Sequence, residues 1–307
     1  MQNMQATDFG KVAVLMGGHS AEREISLKSG NAVLKALKNK GVDAHPVDPD
    51  INIIQKLLTE NFTRAFICLH GRGGEDGVIQ GALETSKIPY TGSGVLGSAL
   101  GMDKYRCKLL WKSIGLPTPE FVAIHAEQDL EQAAALGFPL MIKPAHEGSS
   151  IGMARVEDAM QLEASWKEAA NYDNIVLAER WITGNEYTCA ILGEQLLPMI
   201  RLETPRVFYD YEAKYHSNST SYHCPCGLPN NIEAQLQALA LQAFQSVGAT
   251  GWGRVDLFTD QDGNPWLLEV NTVPGMTDHS LVPMAAKTFG IDFEELVWRI
   301  LHTSLQP

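Results

Sequence analysis

Short apolar runs alternate with helical periodicity through the first hundred residues. Val12 to Met16 reads as a buried strand, followed by Gly17-Gly18. A helix runs from about Ser20 to Lys40, with Leu27, Gly30, Leu34 and Leu37 on one face and Gly41 as its stop. Ala44 to Val47, Ala65 to Leu69 and Ile88-Pro89-Tyr90 read as further strands, and Ile53 to Leu58 as a helix between them. This alternation predicts a parallel sheet with helices on its faces. Ligands in such sheets sit beyond the carboxyl ends of the strands, where His19, Glu22 and His70 fall.

Thr91 to Gly101 is rich in Gly and Ser, carries no charge, and reads as a linker into a second unit. That unit holds helices over Asp103–Ile114, Leu130–Leu136 and Leu162–Ala170, with strands at Phe121–Ile124, Pro139–Lys143 and Ile175–Glu179. A third unit opens near Gly184 with strands Tyr187–Leu192 and Leu196–Ile200. A polar irregular stretch from about Asp210 to Asn231 follows, then the helix Ile232–Val247, a hairpin and two C-terminal helices. A loop that long inside a compact domain is usually functional. The expected domains are 1–95, 96–184 and 185–307.

The hairpin carries the strongest chemistry. Trp252 to Thr259 and Pro265 to Asn271 alternate around Asp262-Gly263, a two-residue turn signal. A two-residue turn sets Asp256 opposite Glu269 and Arg254 opposite Asn271. Side chains alternate with period two. Val255, Leu257, Leu268 and Val270 then face the core, while Arg254, Asp256, Glu269 and Asn271 share the other face. Facing carboxylates repel, so a proton, a cation or solvent must offset them. Two acids and an amide supply oxygen ligands alone, which suits Mg²⁺ shared with phosphates. A wet outer face with Arg254 as ion-pair partner is the plainer alternative. Asn271 in line, and the loop Thr272-Val273-Pro274-Gly275-Met276 behind it, favour the metal–phosphate site.

No Walker A motif is present, and no GxGxxG follows the first strand, so a dinucleotide oxidoreductase lacks its fingerprint. Lys143 ends a strand and leads into Gly148-Ser149-Ser150, whose small residues let backbone N–H groups approach phosphates. Lys143 and Lys104 each offer a point charge. Glu179 reads alone as a plain strand end, although a carboxylate there can accept from an adenine amino group.

Composition narrows the classes. The 307 residues carry 24 Lys+Arg against 36 Asp+Glu, a net charge of -12, which argues against a nucleic-acid partner. At 45% hydrophobic the chain has ample core material, and no stretch near twenty residues is apolar enough for a membrane span. The five cysteines, an odd number without a framework, and the absence of a secretory signal point to the cytoplasm. His223, Cys224 and Cys226 lack a fourth ligand at zinc spacing and read as a polar loop.

Together these motifs resemble the ATP-grasp superfamily and, within it, the D-alanine–D-alanine ligase family. The resemblance runs from Val12 to about Leu301. It rests on Gly17-Gly18-His19-Ser20-Ala21-Glu22, the run Leu69 to Gly77, Met102-Asp103-Lys104, Lys143-Pro144 with Gly148-Ser149-Ser150, and Tyr211-Glu212-Ala213-Lys214-Tyr215. Gly253 to Asp256 and Glu269 to Thr277 with His279-Ser280 complete it. All of these in order are highly specific. Arg180 stands where Lys is common in the family.

The resemblance implies an N-terminal parallel α/β domain followed by a two-part ATP-grasp fold. It implies ligation of two D-alanine molecules through an acylphosphate for peptidoglycan synthesis, with ATP as co-substrate and two Mg²⁺ ions, Mn²⁺ being possible. The alternatives are a depsipeptide ligase using D-lactate, another carboxylate–amine ligase, and a non-catalytic sensor on the same fold. By resemblance Asp256, Glu269 and Asn271 bind metal, while Lys104, Lys143 and Lys214 hold phosphates. Glu179 and Ile182 contact adenosine, and Glu186 contacts the ribose. Glu22 pairs with the first ammonium group, and His70 lines that pocket. Arg254 and the Gly275 N–H face the oxyanion, and Ser280 and Leu281 take the second carboxylate. The polar stretch becomes a lid whose Tyr215 joins Ser149 and Glu22 in a hydrogen-bonded chain. A homodimer is implied by the same analogy.

Overall fold

The computed structural model describes residues 4–204, 220–277 and 279–305. Strands Lys11–Leu15 (β1), Asp43–Val47 (β2) and Arg64–Ile67 (β3) form a parallel sheet in the order β2-β1-β3, with Tyr90 bridging in parallel to Ala65. Helices Arg23–Asn39 (α1), Ile53–Thr59 (α2) and Val78–Thr85 (α3) connect and cover it. All of β3 is buried, as expected for a short apolar strand in a parallel sheet.

The segment expected to be a linker is mostly helix, Val95–Met102 (α4). Its glycines serve contact rather than flexibility. A Cβ on Gly97 would lie 2.4 Å from the Gly248 carbonyl oxygen, and one on Gly101 would lie 2.9 Å from Thr272 Cγ2. Helix Lys104–Ser113 (α5) follows, capped by the Asp103 side chain, which accepts from the Arg106 N–H at 2.9 Å.

Strands Phe121–Ile124 (β4), Leu140–Pro144 (β5), Ala154–Val156 (β6) and Val176–Arg180 (β7) make an antiparallel sheet in the order β4-β7-β5-β6, backed by Leu130–Ala134 (α6) and Ala159–Ala169 (α7). The third sheet contains Gly184–Leu192 (β8), Gln195–Leu196 (β9), Ile200–Glu203 (β10) and Ser221–His223 (β11). Helix Asn230–Ser246 (α8) then leads to Trp252–Asp260 (β12) and Pro265–Asn271 (β13). The expected strand Leu196–Ile200 is thus split in two, and part of the expected irregular stretch is strand.

The hairpin turns differently from expectation. Asp260 pairs with Asn264 around Gln261-Asp262-Gly263, a three-residue loop with Gly263 at φ +83°. Leu257 therefore faces Leu267, and a bulge between there and Asp256 restores the pairing of Asp256 with Glu269. The two one-residue offsets cancel, so the acidic pair sits where expected. Leu268 does not: Leu267 is fully buried in its place, and Leu268 lines the cleft.

Helices Leu281–Phe289 (α9) and Phe293–Thr303 (α10) share one hydrophobic core with the N-terminal sheet. Phe9 packs edge-on against Trp298 at 4.9 Å, and Lys40 pairs with Glu295 at 3.0 Å. The end of the chain thereby fixes the first sheet beside the hairpin. No helix among the described residues is long and apolar enough to cross a membrane.

Candidate active site

Two cavities adjoin between the sheets and share Lys104, Gly148, Ser149, Glu269 and Leu281 as walls.

The first lies at the carboxyl ends of the parallel strands. Glu22, buried just before α1, accepts a hydrogen bond at Oε1 from the Ser149 hydroxyl. Ser149 and Ser150 hold φ values of +51° and +61°, a region non-glycine residues seldom occupy. Gly148 lets the loop approach, since a Cβ there would lie 2.8 Å from Glu22 Oε2. His70 is buried, and desolvation keeps its pKa below the ordinary value although Glu22 pulls the other way. Its Nε2 lies 3.4 Å from Ser29 Oγ, which accepts the Met276 N–H at 3.0 Å. Glu75 accepts from the Gly71 N–H at 2.8 Å, and burial, then the nearby Glu22, push its pKa up to about 8.

The hairpin supplies the floor. Arg254 Nε and Nη2 donate to Asp256 Oδ1 and Oδ2 at 2.8 and 2.7 Å. Thr188 Oγ1 and Asn271 Nδ2 add bonds to the same carboxylate at 2.5 and 3.1 Å. Glu269 Oε2 lies 3.7 Å from Lys104 Nζ, which donates to the Glu147 carbonyl at 2.6 Å. The Arg254 ion pair and the oxygen-donor face therefore coexist. Among the described residues no three His, Cys, Asp or Glu side chains cluster tightly enough to cage a metal. A donor set of two carboxylates and an amide fits Mg²⁺, which takes its remaining oxygens from substrate and water.

The second cavity is bounded by Lys143, Glu179, Ile182, Glu186 and the displaced Leu268. Lys143 Nζ lies 2.8 Å from Glu179 Oε1, and Lys108 Nζ lies 3.3 Å from the same oxygen. Burial opposes ionisation of Glu179, yet Lys108 and Lys143 hold its pKa below the ordinary range. At the far end of the first cavity, Ser280 precedes α9 and its Oγ accepts the Thr277 N–H at 2.9 Å. Gly275 lies close to it, and Leu281 is buried against both cavities.

The structure thus brings together Glu22, His70, Lys104, Lys143, Ser149, Glu179, Ile182, Glu186, Arg254, Asp256, Glu269, Asn271, Gly275, Ser280 and Leu281. Lys214 and Tyr215 lie outside the described residues, so the Glu22–Ser149 link is present and its extension to Tyr215 is not described. His19 is exposed and lines a neighbouring depression on the other side of His70. His223 contacts Glu203 at 3.0 Å, and Cys226 is buried in the core under the third sheet. Sequence reasoning missed Glu75, Ser29 and Lys108. Lys108 had a usable signal, since it follows Lys104 by four residues on one helix face.

Comparison with known proteins agrees with this geometry. The family models for the D-ala D-ala ligase N-terminus and C-terminus match residues 49–93 and 110–302. The D-alanine–D-alanine ligase of Alkalilimnicola ehrlichii is 63% identical over 305 residues, covering 99% of this chain and 97% of its own. The solved D-alanine–D-alanine ligase from Bacillus anthracis matches with a TM-score of 0.86 at 33% identity, covering 96% of this chain and 97% of that one. A structure of the ligase from that organism complexed with ATP matches at 0.83 and 31%, with the same coverage. By sequence along nearly its whole length and by the arrangement of its three sheets, the chain belongs to the D-alanine–D-alanine ligase family.

Proposed function

We propose that this chain joins two D-alanine molecules into D-alanyl-D-alanine for peptidoglycan synthesis, in the cytoplasm, with ATP as the activating co-substrate. The observation that carries the reading is the meeting of two unlike cavities at Lys104, Ser149 and Glu269. One offers the buried Glu22 carboxylate to an ammonium group, and the other offers lysines to phosphates. The five free cysteines suit a reducing compartment.

A free carboxylate is a poor acyl donor, so it must first be phosphorylated. Glu22 receives the ammonium group of the first D-alanine, and His70, uncharged at neutral pH, walls the pocket without repelling it. The substrate carboxylate attacks the γ-phosphate of ATP, giving the acylphosphate and ADP. Lys104, Lys143 and Lys214 hold the phosphates. Glu179 and Ile182 take the adenine, and Glu186 takes the ribose. Asp256, Glu269 and Asn271 would hold two Mg²⁺ ions, or Mn²⁺, which when bound offset the phosphate charge. Phosphoryl transfer depends on such positioning and charge neutralisation.

The second D-alanine, as its neutral amine, then attacks the acyl carbon, and the proton the nitrogen gives up leaves with the phosphate. Arg254 and the Gly275 N–H face the oxyanion, which collapses with release of phosphate. Ser280 and Leu281 open helix Leu281–Phe289, and its N-terminal N–H groups suit the second carboxylate. Tyr215, with Ser149 and Glu22, closes the site against water, which would otherwise hydrolyse the acylphosphate.

The test is ATP-dependent phosphate release over a panel of D-alanine, L-alanine and D-lactate, with the product identified. D-alanine should give one dipeptide per phosphate, with L-alanine poor. Equal turnover of the two enantiomers overturns the reading.

A further inference from the structure

Lys108 lies outside both cavities, yet it is fully buried with a charge to satisfy. Its Nζ donates to Thr118 Oγ1 at 2.7 Å and to the Leu267 carbonyl at 3.4 Å, and it lies 3.3 Å from Glu179 Oε1 as an ion pair without hydrogen-bond alignment. Thr118 gives its own proton to the same Leu267 carbonyl at 3.0 Å, so its oxygen is left to accept from Lys108. An ammonium group has three protons and no lone pair, and here two protons have takers while the charge itself lies against a carboxylate. A neutral amine could keep the two donations but would turn its lone pair toward the Glu179 carboxylate. The site is therefore shaped for the charged form, although burial lowers the pKa of Lys108 to about 8.

The two lysines on Glu179 are not equivalent. Lys143 lines the cavity, and on the reading above it turns to the phosphates when ATP arrives. Lys108 has no route to the ligand. It also reaches the Leu267 carbonyl, beside the bulged Leu268 that forms another part of the cavity wall.

We propose that Lys108 is a positioning residue of the nucleotide site. It holds Oε1 of Glu179 and keeps that carboxylate ionised when Lys143 leaves it, so that Glu179 presents an acceptor alone to the base. An acceptor alone selects a base with an amino group at the 6-position, as in adenine, over one with a carbonyl there, as in hypoxanthine. A protonated Glu179 could donate to the carbonyl and would lose that selection. The inference rests on the placement of adenine against Glu179 in the proposed function.

The experiment measures kcat/KM for ATP and for ITP, with the KM for D-alanine, in the full chain. Lys108→Met is expected to raise the KM for ATP and to lower the ATP/ITP preference about tenfold, the scale of one charge-assisted hydrogen bond. The KM for D-alanine should move less than about twofold, which separates positioning from general loosening. Lys108→Arg, which keeps the charge, should recover most of the preference. In a Glu179→Gln background, Lys108→Met should leave the ratio where Glu179→Gln put it, because it acts through that carboxylate. If Lys108→Met fails to fold, Thr118→Val removes the nearest acceptor and should shift the ratio in the same direction. A ratio altered by Glu179→Gln but untouched by the Lys108 or Thr118 variant overturns the proposal alone. A ratio untouched by Glu179→Gln overturns the adenine placement as well.

Discussion

On one side of the cleft a single buried carboxylate, Glu179, faces two lysines, Lys108 and Lys143. On the other side Glu22 lies near both Glu75 and His70, and burial holds the His70 ring uncharged at neutral pH. Around Glu179 the lysines outnumber the carboxylate, whereas beside His70 the negative charge is that of Glu22, because Glu75, with its pKa pushed up to about 8, is largely protonated at neutral pH. Burial without full pairing is costly, so each half is incomplete in a definite sense. One is completed by an anion and the other by a cation. The difference shows how one chain can hold a triphosphate and an amino acid's ammonium group side by side, each in surroundings that would reject the other.

The boundary between the halves is the hairpin face, and breaking it should have the largest effect. Asp256→Asn or Glu269→Gln removes charge from the face proposed to meet the transferring phosphoryl group. Each should lower kcat about a hundredfold or more. The fold should hold, because Val255 and Val270 point into the core. Turnover of either variant measured against Mg²⁺ concentration checks this, and near wild-type rates at limiting Mg²⁺ would remove the metal face from the proposal.

Swapping charge in one half at a time sharpens the contrast. Glu22→Gln should raise the KM for D-alanine about ten- to a hundredfold, the range for a hydrogen bond to a charged group, with the KM for ATP nearly unchanged. Lys143→Met should do the reverse. Steady-state kinetics with each substrate varied in turn decide it. If both variants moved both constants equally, the two cavities would be acting as one site.

The hairpin shows why parts of this were legible and parts were not. Alternation is a property of local sequence, so it placed Asp256 and Glu269 on one face. Turn length and a bulge depend on the partner strand, and only their cancellation preserved the pairing, at the expense of Leu268. The Gly- and Ser-rich run Thr91 to Gly101 misled for a related reason. Small residues signal freedom when solvated and close contact when buried, and the difference lies in Gly248 and Thr272, far along the chain. Beyond its place four residues after Lys104, Lys108 carries no local mark of burial, since Thr118, Glu179 and Leu267 reach it only through the fold. Motif order, by contrast, is written directly in the chain, and through the resemblance it identified most of the residues that the cavities bring together.

The smallest expected effect concerns the loop that both halves share. Its root is fixed by His146, whose Nδ1 lies 2.8 Å from Asp173 and Nε2 3.0 Å from Asp103. Hydrogen bonds to Asp103 and Asp173 raise its pKa from 6.5 to about 9. A histidine whose folded pKa is raised lends its full stability below its unfolded pKa and loses it as the pH climbs through the folded value. The relevant window is therefore about pH 6.5 to 9. The ring is partly exposed and screened, so the contribution is only about 1 kcal/mol. The melting temperature of the wild type should exceed that of His146→Gln by about 2 °C at pH 6.5, with the gap closing toward pH 9.5. Asp103 and Asp173 titrate well below this window and do not confuse the comparison. A gap that stays constant from pH 6.5 to 9.5 would mean that His146 fixes the loop by packing and neutral hydrogen bonds rather than by its charge.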